Sequence, residues 1–143
     1  MKNIEYTYKL MYHCRDNGIP MQYASSASVY GNPTVEDWHN PNKKLNPLNL
    51  YAKSKQMVDE YFPKIIDETT LIQGMRYFNV YGPMEDKKGR MASVAYQMIE
   101  KSKNEEEIKL FPGFPKRDFV YVKDVVSANL YAYQNYYDLL PDY

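Results

Sequence analysis

The sequence predicts an α/β fold in which parallel strands alternate with helices. Long segments carry apolar residues at helical spacing, and short apolar runs bounded by turn residues lie between them. The chain has 143 residues, of which 44% are hydrophobic, enough for one domain with a core. Lys and Arg total 18 and are balanced by 18 Asp and Glu, so no overall field attracts nucleic acid or an anionic membrane.

The first segments predict a helix, a strand and a long loop. Residues 3–16 carry apolar side chains at helical spacing, and Asn17-Gly18 is a helix stop. A short strand is expected over residues 21–24, followed by a turn of small residues. A loop rich in Asn, Pro and Gly then covers residues 31–47.

The rest of the chain alternates in the same way. Residues 48–67 predict an amphipathic helix that Pro63 should kink or end early. A charged loop is expected over residues 85–90. The other predicted elements are strands over residues 71–77, 108–111 and 119–122, and helices over residues 91–103 and 124–137.

Cysteine content and hydropathy restrict the setting of the protein. Cys14 is the single cysteine, so an internal disulfide and a cysteine metal cluster are excluded, and we predict no metal site. No apolar run reaches the roughly 18 residues that a membrane-spanning helix needs. We therefore expect a cytoplasmic protein without a membrane partner.

Tyr51 and Lys55 form the central chemical signal. Four residues apart on a predicted helix, they share one face. A free tyrosine has a pKa of about 10, and a neighbouring ammonium favours the phenolate. The pair could therefore move a proton on or off a substrate hydroxyl. Taken alone, the spacing is more often a surface pair.

Two further segments lie where predicted strands end. Ser26 follows the first strand, and ligands in α/β sheets sit beyond the carboxyl ends of strands. We interpret Ser25 and Ser28 as turn residues that satisfy the backbone. Residues 76–83, Arg-Tyr-Phe-Asn-Val-Tyr-Gly-Pro, begin at the end of a second predicted strand and continue beyond it.

In this order, residues 25–31, 51–55 and 76–83 resemble the extended short-chain dehydrogenase/reductases, which act on nucleotide sugars. Residues 87–95 and 116–122 are most similar to the ADP-L-glycero-D-manno-heptose 6-epimerases of that group. The resemblance implies the C-terminal part of a Rossmann-like doubly wound parallel sheet plus part of a small substrate-binding domain. Residues 1–82 would be the second half of the dinucleotide-binding domain, and residues 83–143 the substrate-binding portion.

The resemblance also implies an isomerase reaction. C6 of ADP-D-glycero-D-manno-heptose would be inverted through transient oxidation by NADP, with NAD possible, in the heptose branch of lipopolysaccharide core biosynthesis. Tyr51 would be the acid/base residue and Lys55 its partner. Ser26 would hydrogen-bond the reacting hydroxyl, and Lys88 would be the second base. Without the resemblance, Lys88 is more often part of a solvated pair.

The same resemblance assigns binding residues and an oligomer. Tyr51, Lys55, Val80 and Lys88 would contact the cofactor. The ADP-sugar would be bound by Asn79, Arg90, Gln97, Phe111 and Arg117. The full-length enzyme would be a homo-oligomer. Arg90 stands where the epimerases usually have Ser and Gln97 where they usually have His, so the exact sugar stays open.

No Gly-rich dinucleotide motif, G-x-x-G-x-x-G or G-x-G-x-x-G, occurs in the chain. Such a turn normally leads to the helix N-terminus that binds a pyrophosphate. We therefore expect an incomplete chain that binds cofactor poorly and is inactive alone.

Four alternatives stay open: a related 4-epimerase, a dehydratase, a reductase, or a non-catalytic remnant that binds a partner. Ala27-Ser28, where a dehydratase would carry an acidic pair, disfavours the dehydratase.

Overall fold

The computed structural model describes residues 2–32, 44–66, 70–110, 112–113, 117–135 and 138. The chain divides into two compact units on either side of the Tyr77–Phe78 bond. Each unit contains one parallel strand pair, which confirms the predicted α/β class with parallel strands. The assignment of domain roles to residues 1–82 and 83–143 stays a prediction.

In the first unit, strand β1 (Met21–Ser26) pairs in parallel with strand β2 (Ile72–Tyr77). The register runs from Met21 opposite Ile72 to Ser26 opposite Tyr77. β1 is therefore two residues longer than the sequence predicts, because its ladder with β2 continues through both serines. A single 3₁₀ turn, Ala27–Tyr30, follows directly.

Two helices accompany this strand pair: α1 (Lys2–Asp16) and α2 (Leu50–Tyr61). The helices and strands share one apolar core, whose buried members are Met11, Tyr23, Val58, Ile65 and Ile72. α2 ends earlier than the predicted residue 67, and a 3₁₀ turn, Phe62–Lys64, follows it. Pro63 lies in that turn, as expected of a residue that has no N–H to continue the helix.

In the second unit, strand β3 (Asn79–Tyr81) pairs in parallel with strand β4 (Phe119–Tyr121). Helix α3 (Val94–Lys103) lies between them in sequence, and helix α4 (Val122–Gln134) follows β4. The Ser93 side chain caps α3 by accepting from the Tyr96 amide at 3.2 Å.

The predicted strand over residues 108–111 is wrong in its described part. Residues 108–110 have no regular structure, and Phe111 lies outside the described residues. Ile108 is 39% and Leu110 75% exposed, so the apolar alternation there does not bury a strand face. Within the described ranges, no helix combines the length and apolar character needed to cross a bilayer.

Candidate active site

Tyr51 lies in the first turn of α2. The Asn49 side chain caps the helix by accepting from the Ala52 amide at 2.8 Å. This cap starts the helix at Leu50 and turns Ala52 into the interior, where it is fully buried. Tyr51 points the other way and is 57% exposed. Its phenol is therefore accessible to a ligand on the surface of the first unit.

Lys55 joins this tyrosine to strand β1. Its Nζ lies 5.8 Å from the centroid of the Tyr51 ring and donates to the carbonyl of Ala24 at 2.7 Å. The predicted common face of Tyr51 and Lys55 is thus present in the folded chain. The hydrogen bond to Ala24 holds the ammonium at a fixed point on β1, two residues before Ser26. The four-residue spacing of Tyr51 and Lys55 does not predict this position.

Ser26 is the last residue of β1 and the N-cap of the 3₁₀ turn. Its Oγ accepts from the Ser28 amide at 3.2 Å and from the Ser28 hydroxyl at 2.9 Å. A hydroxyl has one hydrogen to donate as well as lone pairs to accept. Because both of these bonds use Ser26 as an acceptor, its own hydrogen can be donated to a ligand oxygen. Ser28 orients that hydroxyl.

Asp59, one turn after Lys55 on α2, has no role in the sequence interpretation. Its side chain is 6% exposed. Oδ1 accepts from the Tyr23 hydroxyl at 3.0 Å, and Oδ2 accepts from the Ser25 hydroxyl at 2.9 Å and from Arg76 Nε at 2.8 Å. We call Asp59, Tyr23, Ser25 and Arg76 the Asp59 cluster. Its sequence signal is an acidic residue four positions after Lys55.

Arg76 extends the Asp59 cluster to the turn after β1. Its Nη1 donates to the Tyr30 hydroxyl at 3.0 Å, and the guanidinium lies 5.0 Å from the centroid of that ring. Burial and the neighbouring Asp59 carboxylate raise the pKa of the Tyr23 hydroxyl. Tyr23 therefore stays a neutral donor to Asp59, and Arg76 supplies the balancing positive charge.

In the second unit, Asn79 and Val80 lie in β3. The Asn79 side-chain amide donates to the carbonyl of Asp118 at 2.9 Å, and its backbone N–H donates to the same oxygen at 3.2 Å. Val80 pairs with Val120 in the ladder. Asn79 therefore joins β3 to the segment that leads into β4.

The charged segment after β3 is ordered around a buried acid. It forms a 3₁₀ segment, Glu85–Met91, instead of the open loop that its charges indicate. Glu85 is only 3% exposed and accepts from the backbone amides of Ser93 and Gly82, the latter at 3.2 Å. Bonding to the Ser93 amide, aided by Gly82 and opposed by burial, lowers the pKa of Glu85.

Lys88 and Arg90 lie on this segment and are both exposed. Gly89 between them has φ 53° and ψ −126°, a backbone conformation that suits glycine and turns the chain there. Gln97 donates to the carbonyls of Ala92 at 2.8 Å and Arg90 at 3.4 Å. Gln97, predicted on the sugar side, thus bonds the backbone of the segment that carries Lys88 and Arg90.

Two predicted substrate residues remain. Arg117 is exposed and lies two residues before β4. Phe111 is outside the described residues.

Comparison with protein-family models matches residues 1–142 to the NAD dependent epimerase/dehydratase family. The chain belongs to this family. The resemblance inferred from the motifs is therefore confirmed at the family level, and the fold of solved relatives agrees with it.

An ADP-L-glycero-D-manno-heptose-6-epimerase of Brachyspira hyodysenteriae is 44% identical over 138 residues, which cover 93% of this chain and 43% of that protein. The crystal structure of the Helicobacter pylori ADP-L-glycero-D-manno-heptose-6-epimerase superimposes with a TM-score of 0.79 at 37% identity, covering 91% of this chain and 41% of the other. A UDP-N-acetylglucosamine 4-epimerase from Methanobrevibacter ruminantium gives a TM-score of 0.76 at 30% identity, covering 90% and 42%. The chain thus spans less than half the length of these relatives.

Proposed function

We propose that this chain supplies the proton-transfer segment and part of the sugar-binding segment of an enzyme that inverts C6 of ADP-D-glycero-D-manno-heptose. The observation that carries the proposal is the exposed Tyr51 beside Lys55, whose ammonium is bonded to β1 near Ser26. The 44% identity to the Brachyspira hyodysenteriae epimerase supports this choice of substrate.

The chemistry of the first unit follows from three side chains. Tyr51, acting as the phenolate, accepts the proton of the sugar hydroxyl as the carbon is oxidised, and the resulting phenol returns it on reduction. The Lys55 ammonium stabilises the phenolate electrostatically. Ser26 donates to the oxygen that becomes a carbonyl, with Ser28 holding its hydroxyl in orientation.

A nicotinamide cofactor, when bound, would supply the transient oxidation of the sugar carbon and its reversal. The donor set fits such a group, because Lys55 uses one bond for Ala24 and an ammonium has two further hydrogens for ribose hydroxyls. Tyr51, Lys55, Val80 and Lys88 would contact it. We propose NADP as the preferred form, and titration of the full-length protein with NADP and NAD tests that preference.

Residues of the second unit would bind the nucleotide sugar. An arginine such as Arg117 suits a diphosphate because its planar guanidinium donates in bidentate fashion. The full set that we propose is Asn79, Arg90, Gln97, Phe111 and Arg117. Lys88 would be the second proton-transfer group. A homo-oligomeric full-length enzyme in the cytoplasm completes the proposal.

A chimera tests the function directly. The matched segment of the Brachyspira hyodysenteriae epimerase is replaced by this chain, and C6 inversion of the ADP-heptose is followed by NMR with added NADP or NAD. We expect turnover that requires Tyr51. A folded chimera that binds cofactor yet leaves the sugar unchanged would contradict the proposal.

A UDP-sugar 4-epimerase is the second candidate. The structural likeness to the Methanobrevibacter ruminantium enzyme favours it, as it nearly equals the likeness to the heptose epimerase. Arg90 and Gln97, which depart from the heptose-epimerase pattern, leave room for a different sugar. Assaying the same chimera with UDP-N-acetylglucosamine distinguishes the two, since C4 inversion without C6 inversion would select the 4-epimerase.

A further inference from the structure

We infer that Asp59 is a positioning residue which, together with Arg76, sets where Lys55 and Tyr51 stand over strand β1. The inference rests on the proposed function of Tyr51 and Lys55. It adds a residue that touches neither substrate nor cofactor and acts through the lysine.

The first argument is the register of α2 on β1. Within one helical turn, Lys55 and Asp59 bond three consecutive residues of the strand: Asp59 bonds the side chains of Tyr23 and Ser25, and Lys55 bonds the carbonyl of Ala24 between them. The next residue of β1 is Ser26. A slide or rotation of the helix that moved Lys55 from its carbonyl would therefore also break the Asp59 bonds.

The second argument is the completeness of the Asp59 cluster. Both carboxylate oxygens are engaged, Ser25 is 3% exposed and Tyr23 8% exposed. Arg76 supplies the positive charge from β2, so the cluster joins α2 to both strands of the sheet. A buried carboxylate with three donors has few alternative arrangements, because each donor that is lost leaves a polar group without its partner.

The third argument separates positioning from simple stabilisation. Asp59 follows Tyr51 by about two helical turns and Lys55 by about one, so the three positions run along α2 from the exposed Tyr51 at its start to the buried Asp59. Replacing a residue that only stabilised the fold would raise the reactivity of Lys53 and Lys55 alike, because the two lysines lie two residues apart on α2. A positioning residue releases Lys55 selectively.

The experiment measures the reactivity of single lysines in the 143-residue chain. Isotope-coded reductive methylation followed by mass spectrometry gives the rate at Lys55 relative to Lys53, which lies on the same helix and bonds Gln56. In Asp59→Asn we expect this ratio to rise about fivefold, the scale of one hydrogen bond. Glu60→Gln is the matched control, an exposed carboxylate one residue further along that accepts from Gln56, the partner of Lys53. A Gln at position 60 keeps an oxygen that can accept this bond, so the ratio should stay unchanged.

Circular dichroism selects the variants that keep their helix content. An unchanged ratio in folded Asp59→Asn, or an equal rise in Glu60→Gln, would overturn the inference. Where Asp59→Asn does not fold, Arg76→Lys takes its place, because it keeps the charge but loses the guanidinium geometry. A ratio about twofold higher supports the inference, and an unchanged ratio overturns it.

The labelling result is independent of catalysis. A chimera without epimerase activity whose Lys55 ratio still rises in Asp59→Asn would refute the proposed function and retain the positioning geometry. A chimera with epimerase activity whose Lys55 ratio is the same in Asp59→Asn would support the proposed function and refute the positioning role of Asp59.

Discussion

Gly74 lies directly opposite Tyr23 in the ladder between β1 and β2. A Cβ atom at position 74 would overlap the Tyr23 hydroxyl and the ring carbon that bears it. The tyrosine cannot yield freely, because its ring is buried and its hydroxyl bonds Asp59. The absence of a side chain on one strand therefore makes room for a donor on the other.

Gly74→Ala should accordingly destabilise the chain by about 1–3 kcal/mol, the usual cost of overpacking. Urea unfolding followed by circular dichroism measures the loss. A double-mutant cycle with Tyr23→Leu, which removes the obstructing ring end, isolates the contact. If Gly74→Ala costs as much in the Tyr23→Leu background, the overlap with Tyr23 is not the cause.

Asn49→Ala should cost about 1 kcal/mol of stability, because the Ala52 amide loses its capping acceptor. Amide exchange should accelerate most in the first turn of α2, where Tyr51 lies. Asn49→Asp keeps a capping oxygen and is the control. Equal exchange rates at Ala52 in the wild type and Asn49→Ala would show that the cap does not hold this turn.

Because Glu85 is a buried acceptor, we expect the stability of the second unit to fall at acid pH. Its pKa is lowered below the ordinary 4.5, chiefly by the Ser93 amide, so its ionised form stabilises the folded state above pH 4.5. That contribution is lost as the pH falls through the lowered pKa. We expect the free energy of unfolding of Glu85→Gln to fall less steeply than that of the wild type between pH 5 and pH 3, about the window of carboxyl titration.

The control for Glu85 is Asp86→Asn, which changes an exposed neighbouring carboxylate in the same segment. Its pH profile should follow that of the wild type. Urea unfolding at a series of pH values measures all three proteins, and parallel wild-type and Glu85→Gln profiles would rule out this role for Glu85.

Tyr51→Phe in the chimera should lower kcat by about 10²–10⁴-fold, the usual contribution of a positioned acid/base group. Lys55→Met should also lower kcat, because it removes the positive charge beside the Tyr51 ring, where negative charge develops during proton transfer. Lys53→Met removes the same charge two residues away and should retain activity. Steady-state assays compare the three variants. Equal losses of kcat in Lys53→Met and Lys55→Met would show that Lys55 has no specific catalytic role.

Lys88→Ala tests whether Lys88 is the second base, and the neighbouring Lys87 provides the control. Lys87 and Lys88 are both exposed on the Glu85–Met91 segment, so Lys87→Ala is the matched variant. We expect a loss of kcat of about 10²-fold or more for Lys88→Ala alone. Similar rates for the two variants would show that Lys88 has no catalytic role and is one of two solvated surface lysines, as its charge pattern indicates.

Most of the element order was predictable because it depends on local patterns. Helical spacing placed α1 and α2, and Pro63 marked the end of α2 through its missing N–H. The prediction at residues 108–111 was wrong in its described part, since a short apolar run does not itself show whether a partner strand will pair with it. The end of β1 was missed for the same reason, as its last two residues are strand only through their pairing with β2.

By itself, the sequence determined the class of fold, the family and the shared face of Tyr51 and Lys55, because motif order and a four-residue helical spacing are properties of one segment at a time. Only the tertiary structure decided that Lys55 bonds the carbonyl of Ala24 and that Asp59 and Glu85 are buried acceptors. Those contacts join residues far apart in the chain or bury charges that look solvated in sequence. Burial and hydrogen-bond partners depend on which elements pack together, and no local pattern contains that information.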